Sequence, residues 1–273
     1  MVFYKTDEEI EHIRESCLLV CKVLTHVASK IRPGISGVAL DREAEEIIRD
    51  YGATPSFKGY NGFPATLCVS VNHDVVHGIP STDQIFKEGD IVSVDCGAFY
   101  NGFHGDAAYT FLLGEVDEAV VKLCQVTKAS LYKAIDAARA GNRIGDIGFA
   151  VQNYVEREHR YGVVRDLVGH GLGRELHEEP EVPNFGKRGR GAMIKEGLVI
   201  AIEPMVNLGK KEVRTSRDGW TIFSKDGKPS AHYEHTIAVR KDGPELLSDH
   251  TNIEAAIRNN PNVREVDLAA QVA

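Results

Sequence analysis

Apolar positions recur every three or four residues through "DEEIEHIRESCLLVCKVLTHVASKIRPG" (7–34), and the pattern stops at Pro-Gly. That spacing predicts an amphipathic helix with a defined end. "DEAVVKLCQVTKASLYKAIDAARAG" (117–141) has the same periodicity and stops at Gly. A second helical pattern follows each: "ALDREAEEIIRDYG" (39–52) and "DIGFAVQNYVEREHRYG" (146–162), both ending in Tyr-Gly, a helix-stop signal. Next come "VVHGIP" (75–80) and "ELHEEP" (175–180), each with a histidine shortly before a proline. The period then changes. "FKEGDIVSVDCG" (86–97) and "IKEGLVIAIEPM" (194–205) open on a Lys-Glu-Gly turn and continue as strands rich in β-branched residues. The shift between Lys87 and Lys195 also carries Asp95 onto Glu203. Chance can match two helices, but it accounts poorly for five features in the same order.

The chain thus reads as two halves, about 1–113 and 114–250, each helix–helix–strands. An α+β fold is expected, with the halves related by a pseudo-two-fold axis around an antiparallel sheet. They would form one domain over 1–250, leaving 251–273 as a loosely held C-terminal tail. Each acid-bearing strand is expected to lead into a hairpin, at Asn101-Gly102 and at Asp226-Gly227.

Composition narrows the function classes. The chain has 273 residues, 42% hydrophobic and 26% charged, with a net charge of −8. That balance is ordinary for a globular protein and disfavours a nucleic-acid binder. No apolar run approaches the ~18 residues of a membrane span. The acidic start lacks the order of a signal peptide, so a cytoplasmic location is expected. The five cysteines include no C-x-x-C pair, and buried free thiols are expected rather than a disulfide framework.

The chemistry sits in "VDCGAFYNGFHGDAAYTF" (94–111). If Asn101 and Gly102 are the central turn pair, Tyr100 faces Phe103 and Asp95 faces Ala108. Side chains alternate along a strand, so Asp106 shares a face with Asp95 at a diagonal Cα separation of ~7–8 Å. Two carboxylates that close require a proton or a cation. The second half offers more of the same kind. Glu203 is a lone acid in an apolar strand, Glu234 lies on the returning strand, and glycines flank His170. Four carboxylates and one imidazole suit manganese, iron(II) or cobalt and tolerate zinc. The negative charge is too great for one divalent ion, and two ions would balance it.

The ordered stretches "VSVDCGA", "GDAAYTF", "VGHGLGRELHEEP", "IEPM" and "YEHTIAV" resemble the motifs of type I methionine aminopeptidases, which have the pita-bread fold. The likeness runs from about residue 5 to about 248 and resembles the short bacterial form. It implies a dinuclear metallo-exopeptidase that removes the initiator methionine from nascent polypeptides when the second residue is small, using hydroxide drawn from a water shared between two ions. It implies Asp95, Asp106, His170, Glu203 and Glu234 as metal ligands, with Asp106 and Glu234 bridging. His77 and His177 match the family's non-ligand active-site histidines. His177 is implied to stabilise the oxyanion, His77 to position the substrate backbone and Glu203 to carry a proton. The methionine pocket is implied at Tyr60, Phe63, Cys68 and Trp220. Phe63, Leu176 and Phe57 depart from residues common in relatives and bear on pocket selectivity. A monomer is expected. The basic stretches "GKRGR" (186–190) and Lys210-Lys211 are candidates for transient ribosome contact.

Overall fold

The computed structural model describes residues 1–268. The first helix, α1 (Asp7–Lys30), begins where Thr6 and Glu9 form a reciprocal capping box. Both satisfy backbone donors that the first turn leaves unpaired. Its inward stripe is Ile10, Ile13, Cys17, Val20, Leu24 and Val27, a 3.6-residue period. α2 (Gly37–Asp50), α3 (Glu118–Ala137) and α4 (Ile144–Gln152) follow the sequence pattern, and a π-helical turn continues α4 over Asn153–Glu158. Each half therefore has its helix pair.

Strands Ile91–Tyr100 and Phe103–Leu113 form a long antiparallel ribbon, with Tyr100 opposite Phe103 and Asp95 opposite Ala108. Asn101 and Gly102 both take positive φ, 50° and 84°, as a type I′ turn requires. The register expected from the turn is the one observed. Leu67–Val71 pairs along the other edge of Ile91–Tyr100 and sets Cys68 opposite Asp95. α1 lies across this ribbon so closely that a Cβ on Gly105 would meet the backbone of Ser16 and Cys17 at 2.4 Å.

In the second half, Val199–Ile202 pairs with His235–Arg240 and Met205–Asn207 pairs with Ser230–His232. The ladder breaks at Glu203-Pro204 on one side and Tyr233-Glu234 on the other. Gly169–Gly171 extends the sheet beside Val199–Ile202. All the named ladders are antiparallel, consistent with the expected α+β pita-bread arrangement. Gly89 and Gly197, the glycines of the repeated Lys-Glu-Gly turns, share positive φ values of 86° and 83°.

Three expectations fail. Asp226-Gly227 is not a hairpin turn. Ile222–Ser224 before it pairs with Val213–Thr215 and Asp74–Val76, whereas Ser230–His232 after it pairs with Met205–Asn207. Asp226 instead accepts the amide of Lys210, fastening the turn to a neighbouring loop. Gly162 is not a helix stop. It lies in a short strand paired with Met205–Asn207, where a Cβ would meet the backbone of Lys210 and Lys211 at 2.6 Å. The C-terminal segment is not loosely held as far as residue 268. α5 (Thr251–Arg258) packs on α1, and Val263–Arg264 pairs with Leu112 and Leu113. The Asn260 amide donates to the carbonyls of Ala28 and Ile31, satisfying acceptors that the end of α1 leaves open. Residues 269–273 lie outside the described residues.

All five cysteines are buried and free, as expected. Among the described residues, no helix is long and apolar enough to cross a membrane.

Candidate active site

The strands of the two halves meet through one backbone–backbone bond and one side-chain–backbone bond. The Glu234 amide donates to the Ala108 carbonyl at 3.0 Å. The Thr236 hydroxyl donates to the Asp106 carbonyl at 2.8 Å. These bonds bring acids from both halves to the floor of one cavity of about 260 Å³. The eleven residues implied as ligands, active-site histidines or methionine pocket all line it: Tyr60, Phe63, Cys68, His77, Asp95, Asp106, His170, His177, Glu203, Trp220 and Glu234.

Asp106, His170 and Glu234 each present a ligand atom within 4.8 Å of the others. His170 Nδ1 lies 2.9 Å from the Gly171 carbonyl, which can only accept. Nδ1 therefore carries the proton, and Nε2 presents its lone pair. That lone pair faces Glu203 Oε1 at 3.7 Å and Asp106 Oδ2 at 3.9 Å. Burial pushes the His170 pKa down to about 3, so a neutral ring faces the acids and these contacts are not ion pairs.

The acids are equally out of place without a cation. Burial pushes Asp95 up to about 7 and Glu203 up to about 8. Asp106 and Glu234 are pushed well above the carboxylate range by burial and then by the surrounding acids. Asp95 Oδ1, Asp106 Oδ1 and Glu234 Oε1 are buried without hydrogen-bond partners. Buried acceptors of one sign around one point, beside an imidazole lone pair, fit divalent cations.

The two other histidines stand at the cavity wall. His77 follows strand Asp74–Val76 with φ of +57°, a conformation that costs a non-glycine residue energy and is over-represented at functional sites. Burial lowers its pKa to about 4, so it acts as a neutral hydrogen-bonding group. His177 Nδ1 lies 2.8 Å from the Tyr60 hydroxyl, and its ring meets that of His170 edge-on at 4.3 Å. Burial lowers its pKa as well.

The outer wall is apolar. Phe63 and Trp220 meet edge to face at 5.2 Å, with Phe57, Leu176 and Cys68 beside them. Pairing of Ile222 with Val76 brings the Trp220 segment alongside the His77 segment. One wall thus comes from both halves.

Two histidines at the site were missed in the sequence. His104 precedes Asp106 by two positions and so lies on the same strand face. Its Nδ1 lies 2.8 Å from the Ser56 hydroxyl, and its backbone amide donates to the Gly173 carbonyl. His232 precedes Glu234 by two positions, and its Nε2 lies 3.5 Å from Glu203 Oε2. In each case the available signal was the two-residue spacing from an acid already chosen.

Residues 11–241 match metallopeptidase family M24. The chain is 50% identical over 248 residues to a methionine aminopeptidase of Clostridium acetobutylicum, covering 91% of this chain and 99% of the relative. It is 46% identical to methionine aminopeptidase 1 of Bacillus subtilis, with the same coverage. Among solved structures, methionine aminopeptidase from Thermotoga maritima matches with a TM-score of 0.89 at 44% identity, covering 91% of this chain and 100% of that one. The prolidase of Pyrococcus furiosus matches at 0.73 and 23% identity over 90% of this chain and 65% of that one, a likeness of fold alone. The chain therefore belongs to metallopeptidase family M24 and, within it, to the methionine aminopeptidases.

Proposed function

We propose that the chain is a methionyl aminopeptidase, with residues 1–250 forming one catalytic domain against which 251–268 pack, that removes the initiator methionine from nascent proteins whose second residue is small. The observation that carries this reading is the joining of two surfaces in one cavity. The floor is a set of buried, uncompensated acids with one imidazole lone pair, and the wall is a small aromatic and aliphatic pocket.

Asp95, Asp106, His170, Glu203 and Glu234 would hold two divalent cations, cobalt, manganese, iron(II) or zinc. Such ions supply Lewis acidity and acidify water towards neutrality. The remaining work falls to the chain. Phe63, Trp220, Tyr60 and Cys68 accept an unbranched apolar side chain, and the aromatic rings make favourable contacts with a thioether sulfur. His77 hydrogen-bonds the substrate's second backbone unit and fixes its position. His177, with Nδ1 set to accept from the Tyr60 hydroxyl, would present its Nε2–H to the carbonyl oxygen and hydrogen-bond it as charge develops there. Glu203 takes the proton of the attacking water and delivers it to the leaving nitrogen. A cytoplasmic monomer belongs to the same proposal, as does transient contact of exposed Lys187, Arg188, Arg190, Lys210 and Lys211 with ribosomal RNA.

The test compares two peptides. Purified protein supplied with manganese should release methionine from Met-Ala-Ser and leave Ala-Pro-Ala intact. Cleavage of Ala-Pro-Ala with Met-Ala-Ser untouched would replace this reading with a proline-specific one.

A further inference from the structure

His232 is buried, 1% exposed, and its Nε2 has no hydrogen-bond partner. That atom lies 3.5 Å from Glu203 Oε2. The backbone of His232 is held in place. Its amide donates to the Thr110 hydroxyl at 3.0 Å, and its carbonyl accepts from the same hydroxyl at 2.6 Å. Thr110 is itself 2.8 Å from the Ser93 hydroxyl. On the opposite strand Met205 faces His232, two residues beyond Glu203, whose own carbonyl accepts from the Asn184 amide.

Glu203 thus stands between two imidazoles of opposite character. His170 turns a lone pair toward Oε1, because its single proton is held by Gly171. Against an ionised Glu203, the state a bound cation would favour, a second lone pair at Oε2 would be repulsive and an N–H there attractive. We propose that His232 is a positioning residue for Glu203. Its Nε2–H is aimed at Oε2 across 3.5 Å and, on a small closing of that gap, donates to it, locking the carboxylate plane with Oε1 turned toward His170. Groups that orient a ligand in this way typically change metal affinity or activity by about 10–100-fold when removed.

The proposal rests on Glu203 as ligand and proton carrier, so its test has an arm that needs no turnover. Mn²⁺ binding is titrated by electron paramagnetic resonance in wild type, His232→Leu, His232→Gln and His232→Asn. kcat and KM for Met-Ala-Ser are measured beside it. His232→Leu should raise the Mn²⁺ Kd about tenfold and lower kcat about tenfold, with KM changing less than twofold. His232→Gln keeps an N–H donor at similar reach but is a poor metal ligand. It should return both values to within about threefold of wild type, which a direct ligand role for His232 would not allow. The shorter His232→Asn should behave like Leu, which keeps the comparison decisive should the Leu variant not fold. Wild-type Mn²⁺ affinity and kcat in a folded Leu variant, or a Gln variant as impaired as Leu or Asn, would overturn the proposal. Failure of wild type to cleave Met-Ala-Ser would count against the proposed function, while the Mn²⁺ titrations would still decide the role of His232.

Discussion

The backbone amide of Glu234 donates to the carbonyl of Ala108 at 3.0 Å, and Ala108 is the residue directly opposite Asp95. One hydrogen bond thus joins the acid-bearing strands of the two halves. The Thr236–Asp106 bond, 2.8 Å long, lies beside it. These two bonds fix the backbones that carry the acids of the two halves side by side.

That arrangement makes Thr236 a test of the seam. Thr236→Val removes the hydroxyl and leaves the buried Asp106 carbonyl without that donor. A loss of about 1–3 kcal/mol in urea unfolding is expected, with weaker Mn²⁺ binding. Unchanged stability and affinity would show that the seam does not hold the site.

Above neutral pH the metal-free protein should lose stability as pH rises. Asp95, Asp106, Glu203 and Glu234 all have folded-state pKa values raised above their ordinary ones, with Asp95 at about 7 and Glu203 at about 8. Above the unfolded carboxylate pKa of about 4, the folded state therefore binds more protons than the unfolded state. Stability from this source is complete below that pH and is lost as pH rises through about 7 and 8. Thermal melts in chelator should give a lower Tm at pH 8.5 than at pH 7, a window above the unfolded histidine pKa of about 6.5, where the buried histidines no longer oppose the trend, and Mn²⁺ should shrink the gap. A higher metal-free Tm at pH 8.5 would contradict the picture of uncompensated acids.

Trp220 should act on substrate more than on folding. It is only partly buried and packs edge-on against Phe63. Trp220→Ala should lower kcat/KM for Met-Ala-Ser about 10–100-fold, the worth of about 1–3 kcal/mol of apolar contact, with a small change in Tm. It is also the chain's one tryptophan, so its fluorescence should respond to free methionine. Wild-type kcat/KM in the variant would move the methionine pocket elsewhere.

A buried ion pair fixes the approach to His177. Lys5 pairs with Glu178, the next residue, and both side chains are about 5% exposed. Lys5→Met strands a buried carboxylate and should cost about 3–5 kcal/mol. The double variant Lys5→Met/Glu178→Leu should recover most of that loss. A single variant as stable as wild type would show that the pair contributes nothing measurable.

How much of this was legible in the sequence depended on the range of the interaction. The Asp95–Ala108 register could be read because Asn101-Gly102 fixes it locally, through two positive-φ positions. The match of Asp95 to Glu203 could be read because duplication repeated the Lys-Glu-Gly turn. The C-terminal segment could not be read. Its order comes from Asn260 meeting the carbonyls of α1 and from strand pairing with Leu112 and Leu113, contacts with no local signature. Gly162 and Asp226-Gly227 carried true turn chemistry that tertiary packing used differently. His104 and His232 were hidden because a histidine in a strand is usually a packed one. Only the assembled site shows which of its nitrogens lacks a partner.

The most direct test of the central claim starts from protein stripped of metal. Methionine release from Met-Ala-Ser is followed as Mn²⁺, Co²⁺, Fe²⁺ or Zn²⁺ is added back, beside a folded Asp106→Asn variant whose bound metal is counted. Metal should restore activity in the native chain, and both activity and metal content should be reduced in the variant. Methionine release that survives in the variant with full metal content, or a folded native chain that leaves Met-Ala-Ser intact with every metal, would contradict that claim.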